Sequence, residues 1–351
     1  MEILYYGATV ISWKSPDVAG GDPLERLFVS SRAYLDGSKP VRGGIPVVFP
    51  VFGAPELPQF SNLKQHGYAR NSTWTFTSVL IDDDSSVSVK LCEHVLSYIC
   101  VRVSDSPLAL GTTPEVKAVF DSPVLLEYVV TLAERELGTD IHVTNQSNKD
   151  PLQFQALFHN YIRAPANDVK ITPLTGKNYF DKTEATPGAR AAPKLEQRKD
   201  VDVQKFTDSI YEDAGQAYDV TWPQGGIRIK TEGLKDLVIW NPQETVGKAI
   251  GDMEDGGWCV RPAGSHAYQK LTLAQGEIRL CRTRSCPRLR HPSSWRVLGW
   301  SADNRTRVVT EWLFVWINRK EDLPRLVSHC TVYCTYDRIQ ITLVPYDQAP
   351  Q

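Results

Sequence analysis

His159 stands in "LFHNYIRA" (157–164), a run that otherwise reads as a buried strand. Strand side chains alternate between two faces. Leu152, Phe154, Ala156, Phe158 and Ile162 share one parity, and Gln153, Gln155, His159, Tyr161 and Arg163 share the other. The first set describes a core face and the second a wet one. A strand histidine is more often packed than reactive, but its polar company here argues for chemistry. Histidine titrates close to neutral pH and can give and take back a proton. Two further stretches gather groups that bind rather than react. "VRGGIPVVFPVFG" (41–53) sets Arg42 before a Gly-Gly pair and an apolar run, so backbone and guanidinium can approach an oxyanion or sugar hydroxyls closely. "LKQHGYARNSTW" (63–74) gathers Gln65, His66, Tyr68 and Arg70 around Gly67, and amide and guanidinium groups of this kind suit a hydroxyl-rich ligand. A core-entry turn and a solvated loop are the plainer readings of these two stretches. A third, "DLVIWNPQETVGKAIGDMEDGGWCVRPAGSH" (236–266), follows a buried strand with an Asn-Pro break and an acidic loop. The G-x-S-x-G, H-E-x-x-H, P-loop and G-x-G-x-x-G signatures are absent.

The elements that must position these groups are strands. "SVSVKLCEHVL", "LLEYVVTLA", "DIHVTNQS" and "GIRIKTEG" alternate with period two, and Gly, Pro, Asn and Asp separate them at short intervals. Helical periodicity is scarce. Many short strands with such turns predict an all-β sandwich or barrel rather than alternating βαβ units. Residues 174–207 are rich in Lys, Glu, Pro and Ala and read as a long surface excursion. No internal repeat is present. From about Glu277 the texture becomes Arg-, Ser-, Cys- and Trp-rich without a clean period. This divides the chain into a β domain over 1–277 and an atypical C-terminal extension over 278–351.

A formal net charge of −2 across 351 residues, with Lys and Arg spread throughout, excludes nucleic acid and membrane surfaces as main partners. An acidic small molecule needs only a few local arginines. The seven cysteines lack a framework spacing, and the C-x3-C pair Cys330/Cys334 has no matching pair for zinc. No run approaches the ~20 apolar residues of a membrane helix. The N-terminus shows no signal peptide, and the sequons at Asn71, Asn145 and Asn304 read as chance. The expectation is a monomeric cytoplasmic protein.

"LFVSSRAYLDGSKPVRGGIPVVFPVFG", "KQHGYARNSTW", "ALFHNYIR", "FTDSIY" and "VIWNPQETVGKAIGDMEDGGW" occur in that order. The ordered set, over roughly residues 3 to 277, resembles the glucose-6-phosphate 1-epimerases (hexose-6-phosphate mutarotases) of the aldose 1-epimerase superfamily. The resemblance implies a galactose-mutarotase-like β supersandwich, a sugar phosphate as the small-molecule partner, and neither metal nor other cofactor. A short N-terminal piece usual in the family is expected to be absent. His159 matches the family's catalytic histidine, and Arg42 the arginine of R-G-G-I-P. Gln65 and Arg70 match Q-H-G-x-x-R, the arginines being suited to the phosphate. Asp208 in "FTDSIY" resembles an aspartate that contacts the sugar. Anomerisation then needs a proton delivered to the ring oxygen by His159 while a carboxylate takes one from the C1 hydroxyl.

One departure bears on that carboxylate. The family's basic glutamate lies in a C-V-E motif, and this chain has "CVRPAG", with Arg261 at the expected position. An arginine cannot serve as a general base at neutral pH. Glu254 or Asp255 would substitute only through a rearranged loop. Two readings therefore stand together. One is an enzyme interconverting hexose 6-phosphate anomers. The other is a catalytically impaired sandwich that retains sugar-phosphate binding.

Overall fold

The computed structural model describes residues 1–17, 21–92, 113–147, 149–255, 266–273, 278–287, 330–333 and 340–344. Period-two sequences become long antiparallel strands whose alternate side chains are buried. In Ser86–Cys92 these are Val87, Val89 and Leu91, and in Val124–Ala133 they are Val124, Leu126, Tyr128, Val130 and Leu132. Leu137–Asn145 contributes Ile141 and Val143 in the same way. These strands are neighbours in an eight-stranded sheet whose order is 170–172, 217–222, 225–232, 278–287, 137–145, 124–133, 86–92 and 75–82.

A seven-stranded sheet runs in the order 193–195, 178–181, 207–211, 236–241, 266–273, 152–158 and 47–48. Its inner face presents Leu152, Phe154, Ala156, Phe158, Tyr211, Leu237 and Ile239 to the buried face of the larger sheet, in one continuous core. Burial of each such side chain stabilises the fold by about 1.5–3 kcal/mol. Among the described residues its outer face carries a small apolar cluster of Val48, Leu157 and Val238, with Phe52 and Ile210 packed against it. The polar residues of that outer face surround a cavity. Among the described residues α-helices are short, six residues at most, and none is long and apolar enough to cross a membrane.

Two regions differ from the sequence reading. The excursion at 174–207 contains two strands, Asn178–Asp181 and Pro193–Leu195, that extend the seven-stranded sheet beside Thr207–Tyr211. Its charged composition conceals this because the buried Glu196 carboxylate accepts from Tyr211 Oη (2.7 Å) and pairs with Arg198 (2.7 Å). Strand Ile278–Pro287, immediately past position 277, pairs on one side with Gly225–Glu232 and on the other with Leu137–Asn145. Strand Gln340–Val344 runs parallel to Glu2–Leu4. Most of 278–351 lies outside the described residues.

The loop that carries Gln65 and Arg70 is anchored at Gly67. Its φ of +72° suits glycine, and a Cβ there would lie 2.1 Å from the Phe49 carbonyl oxygen. That carbonyl accepts from Tyr68 N (3.0 Å), and the Phe49 ring packs 5.2 Å from Phe154 in the core, so neither side can yield. Gly67→Ala is therefore expected to destabilise the protein by at least about 2 kcal/mol. Gly53→Ala, at φ +74° with nothing within 4 Å, should cost about 1 kcal/mol. Thermal denaturation followed by circular dichroism would rank the two.

Candidate functional site

Strand Leu152–Phe158 stops one residue before His159. The chain nevertheless continues to pair: His159 N donates to Pro46 O (3.0 Å), Tyr161 N to Gly44 O (2.9 Å), and Phe28 N to Tyr161 O (2.8 Å). These bonds fasten the R-G-G-I-P segment alongside the histidine. Arg42 Nη1 consequently reaches Tyr161 Oη (3.4 Å), and the Tyr161 ring stacks on His159 with centroids 4.5 Å apart. The rings of Trp240 and His66 are steeply inclined to the imidazole, at 89° and 66°, with centroids 6.5 and 5.9 Å from it. His159 is 9% exposed. It is thus held on several sides by rings, with a fixed orientation.

The Q-H-G segment folds against residues 49–53. His66 N donates to Gly53 O (2.8 Å), and His66 Nδ1 accepts from Gly53 N (3.1 Å). His66 itself holds a left-handed φ of +69°, a conformation that costs a non-glycine residue on the order of 1 kcal/mol. Burial, with Arg70 and Arg42 nearby, pushes its pKa down to about 3, so the ring is neutral at physiological pH. With Nδ1 accepting, the ring proton sits on Nε2. Arg70 Nη2 donates to Gln65 O (2.9 Å), which couples the two ends of the motif.

All five residues singled out in the sequence, Arg42, Gln65, Arg70, His159 and Asp208, line one cavity of about 530 Å³ on the outer face of the seven-stranded sheet. The cavity has two electrostatic poles. At one, burial and the proximity of Arg42 bring the Arg70 pKa down to about 10, still cationic at neutral pH. Burial also opposes the charge of Arg42, but Tyr161 and Asp252 outweigh it and hold its pKa above the usual value. At the other pole burial pushes the Asp208 carboxyl up to about 6, against the pull of Lys182. Lys182 lies at the exposed rim, its backbone N–H donating to Asp208 O (2.7 Å).

His66, Tyr161, Lys182 and Trp240 also line the cavity and were not among the residues assigned roles from sequence. His66 shares the motif of Gln65, and Tyr161 shares the parity of His159, so both carried a local signal. Trp240 lies in the singled-out stretch 236–266 but without an assigned role, and Lys182 carried no signal, because only the pairing of distant strands brings them in. The acidic loop closes onto residues 30–42 instead of onto the cavity. Asp252 accepts from Arg42 Nε (3.0 Å), Glu254 Oε2 from Ser31 N (2.6 Å), and Asp255 pairs with Arg32 (2.9 Å). Glu254 and Asp255 are therefore absent from the cavity wall. Arg261 lies outside the described residues.

The Aldose 1-epimerase family model matches residues 1–284, and the chain belongs to that family. The reaction class is mutarotation, the interconversion of sugar anomers. A Cenchrus ciliaris protein named "Putative glucose-6-phosphate 1-epimerase" is 27% identical over 288 residues, spanning 79% of this chain and 78% of its own length. The crystal structure of a "putative mutarotase (YeaD)" from Salmonella typhimurium superposes with a TM-score of 0.66 at 18% identity, covering 82% of this chain and 86% of that one. A galactose mutarotase related enzyme from Lactobacillus acidophilus gives 0.58 at 15% identity, over 82% and 93%. The fold is the galactose-mutarotase-like β supersandwich.

The raised Asp208 pKa has a cost in stability. The folded state binds this proton more tightly than the unfolded chain, so the contribution is favourable below pH ~4 and is lost as pH rises through about 6. Asp208→Asn should thus stabilise the protein at pH 7.5 by about 1–3 kcal/mol and have little effect at pH 4. Melting temperatures of both proteins at the two pH values test this.

Proposed function

We propose that the protein interconverts the α and β anomers of glucose 6-phosphate, with His159 as the general acid. The observation that carries this is the opening of the His159 imidazole into the same cavity as Arg42 and Arg70. Two guanidinium groups lining one cavity, with Arg42 lowering the pKa of Arg70, favour an anion there. A phosphate monoester, carrying about −1.5 to −2 charge at pH 7, supplies one. The name of the Cenchrus ciliaris relative points to the same substrate. A cavity of about 530 Å³ is of the size that encloses a small ligand.

In this reading the phosphate sits at the arginine pole, with Gln65 and neutral His66 available to the sugar. Protonated His159 gives its proton to the ring oxygen while a base takes the proton of the C1 hydroxyl. C1=O1 forms as C1–O5 breaks, the aldehyde turns about C1–C2, and on reclosure the base returns a proton to O1. Reclosure on the other face returns the proton to His159. No cofactor takes part in these steps.

A second reading, binding of the sugar phosphate without catalysis, is favoured by Arg261 at the position expected for the basic glutamate. Saturation-transfer NMR on the anomeric protons of glucose 6-phosphate separates the two. The wild-type protein should exceed the spontaneous exchange rate, and His159→Ala should lower kcat by ~10²–10⁴. Binding of glucose 6-phosphate with no gain over the spontaneous rate would establish the second reading instead. Arg70→Gln should raise KM for glucose 6-phosphate about 10–100-fold and leave KM for unphosphorylated glucose within a few-fold. Progress curves with the two sugars measure this.

A further inference from the structure

Mutarotation needs a proton acceptor at the anomeric hydroxyl as well as a donor at the ring oxygen. The position expected to supply it holds Arg261, and Asp252, Glu254 and Asp255 are occupied by Arg42, Ser31 and Arg32. Among the described residues only two carboxylates line the cavity, Asp208 and Glu56. Glu56 is exposed at the mouth. Asp208 lies within, on strand Thr207–Tyr211, directly across from Trp240 of strand Asp236–Asn241.

Side chains opposed in an antiparallel pair share a face, with Cβ atoms about 5 Å apart. The Trp240 ring also stands nearly perpendicular (89°) to that of His159, with centroids 6.5 Å apart. His159 and Asp208 are therefore both neighbours of one indole, and both line the same cavity. A hexose laid against Trp240 has both an acid and a carboxylate beside it. The ring oxygen and the C1 hydroxyl are borne by the same carbon, so two hydrogen bonds of about 2.8 Å let acid and base stand up to roughly 8 Å apart.

Resting on the mutarotase reading, we infer that Asp208 is the base that takes the proton of the anomeric hydroxyl. In ring opening, the O1 proton passes to the Asp208 carboxylate, C1=O1 forms as C1–O5 breaks, and His159 gives its proton to O5. After rotation about C1–C2, O5 attacks the opposite face of C1. His159 then recovers its proton from O5, and Asp208 returns one to O1, so no proton or electron is gained or lost. Among the described residues no donor is hydrogen-bonded to the Asp208 carboxylate, which leaves its lone pairs to the substrate. Burial also makes this carboxyl a stronger base than one in water, while Lys182 and Asp181, the charged groups facing it, act in opposite directions.

The experiment measures anomer exchange of glucose 6-phosphate by saturation-transfer NMR for wild type, Asp208→Asn and Glu56→Gln, with the affinity of each for glucose 6-phosphate measured separately by calorimetry. Expected are a 10²–10⁴-fold fall in kcat for Asp208→Asn, affinity within about fivefold of wild type, and loss of the wild-type acid limb near pH 6. Glu56→Gln should keep kcat within twofold. A melting temperature at or above that of wild type shows that Asp208→Asn is folded. An Asp208→Asn protein that loses affinity but keeps kcat at saturation overturns the base assignment and leaves mutarotation standing, as does a Glu56→Gln protein that loses kcat instead. A wild-type protein with no exchange above the spontaneous rate overturns mutarotation itself.

Discussion

The arrangement of the site depends on a short run of backbone hydrogen bonds between residues 44–46 and 159–161. Strand Leu152–Phe158 ends before His159, and without that run the histidine would sit on an unsupported loop. With it, the register of the segment 42–46 is set by the same backbone groups that fix the imidazole. Arg42 then meets Tyr161, Tyr161 stacks on His159, and Asp252 holds Arg42 from behind. Each polar side chain is oriented by a neighbour that is itself anchored in backbone. Such second contacts are what hold catalytic geometry to a fraction of an ångström.

The same construction sets the energetics of the cavity. At one pole Arg42 is held by Asp252 while Arg70 forms no ion pair with a carboxylate among the described residues, and at the other the Asp208 carboxyl is drawn out of water. Burial lowers the pKa of Arg70 and raises that of Asp208, and both shifts mean that the charged state is disfavoured in the empty protein. His66 responds differently. Next to two cations it remains neutral, so it adds a donor without adding charge. Surrounding hydrophobic packing, in which the two sheets share one core, supplies the stability that such a site spends.

Much of this was legible in the chain because strands write their faces into the sequence. Parity alone separated Gln153, Gln155, His159 and Tyr161 from Ala156 and Phe158, and these are the cavity wall and the core respectively. Strong local turns were legible too, since Gly67 is demanded by a backbone contact within its own loop. Pairing between distant strands was not. Asp208 and Trp240 become neighbours through a register that neither sequence reveals, and Lys182 enters through a strand whose charged composition disguised it. A buried carboxylate such as Glu196 looks like solvent-facing sequence until its arginine and tyrosine partners are in place.

The distinction between those two kinds of signal bears on how the acid and the base of this reaction are found. An acid proposed from a motif and a strand end, as His159 is here, is found one residue at a time. A base is defined by its relation to that acid, across whatever surface the substrate lies on. In the proposed arrangement that surface includes Trp240, a ring neighbour of His159 and the cross-strand partner of Asp208. Arg261 at the position where the family resemblance implies a basic glutamate therefore removes one solution to the geometry without removing the requirement that defined it. What decides between a working and an idle site is whether another carboxylate meets the same relation. Among the described residues, the interior of the cavity offers Asp208 for that part.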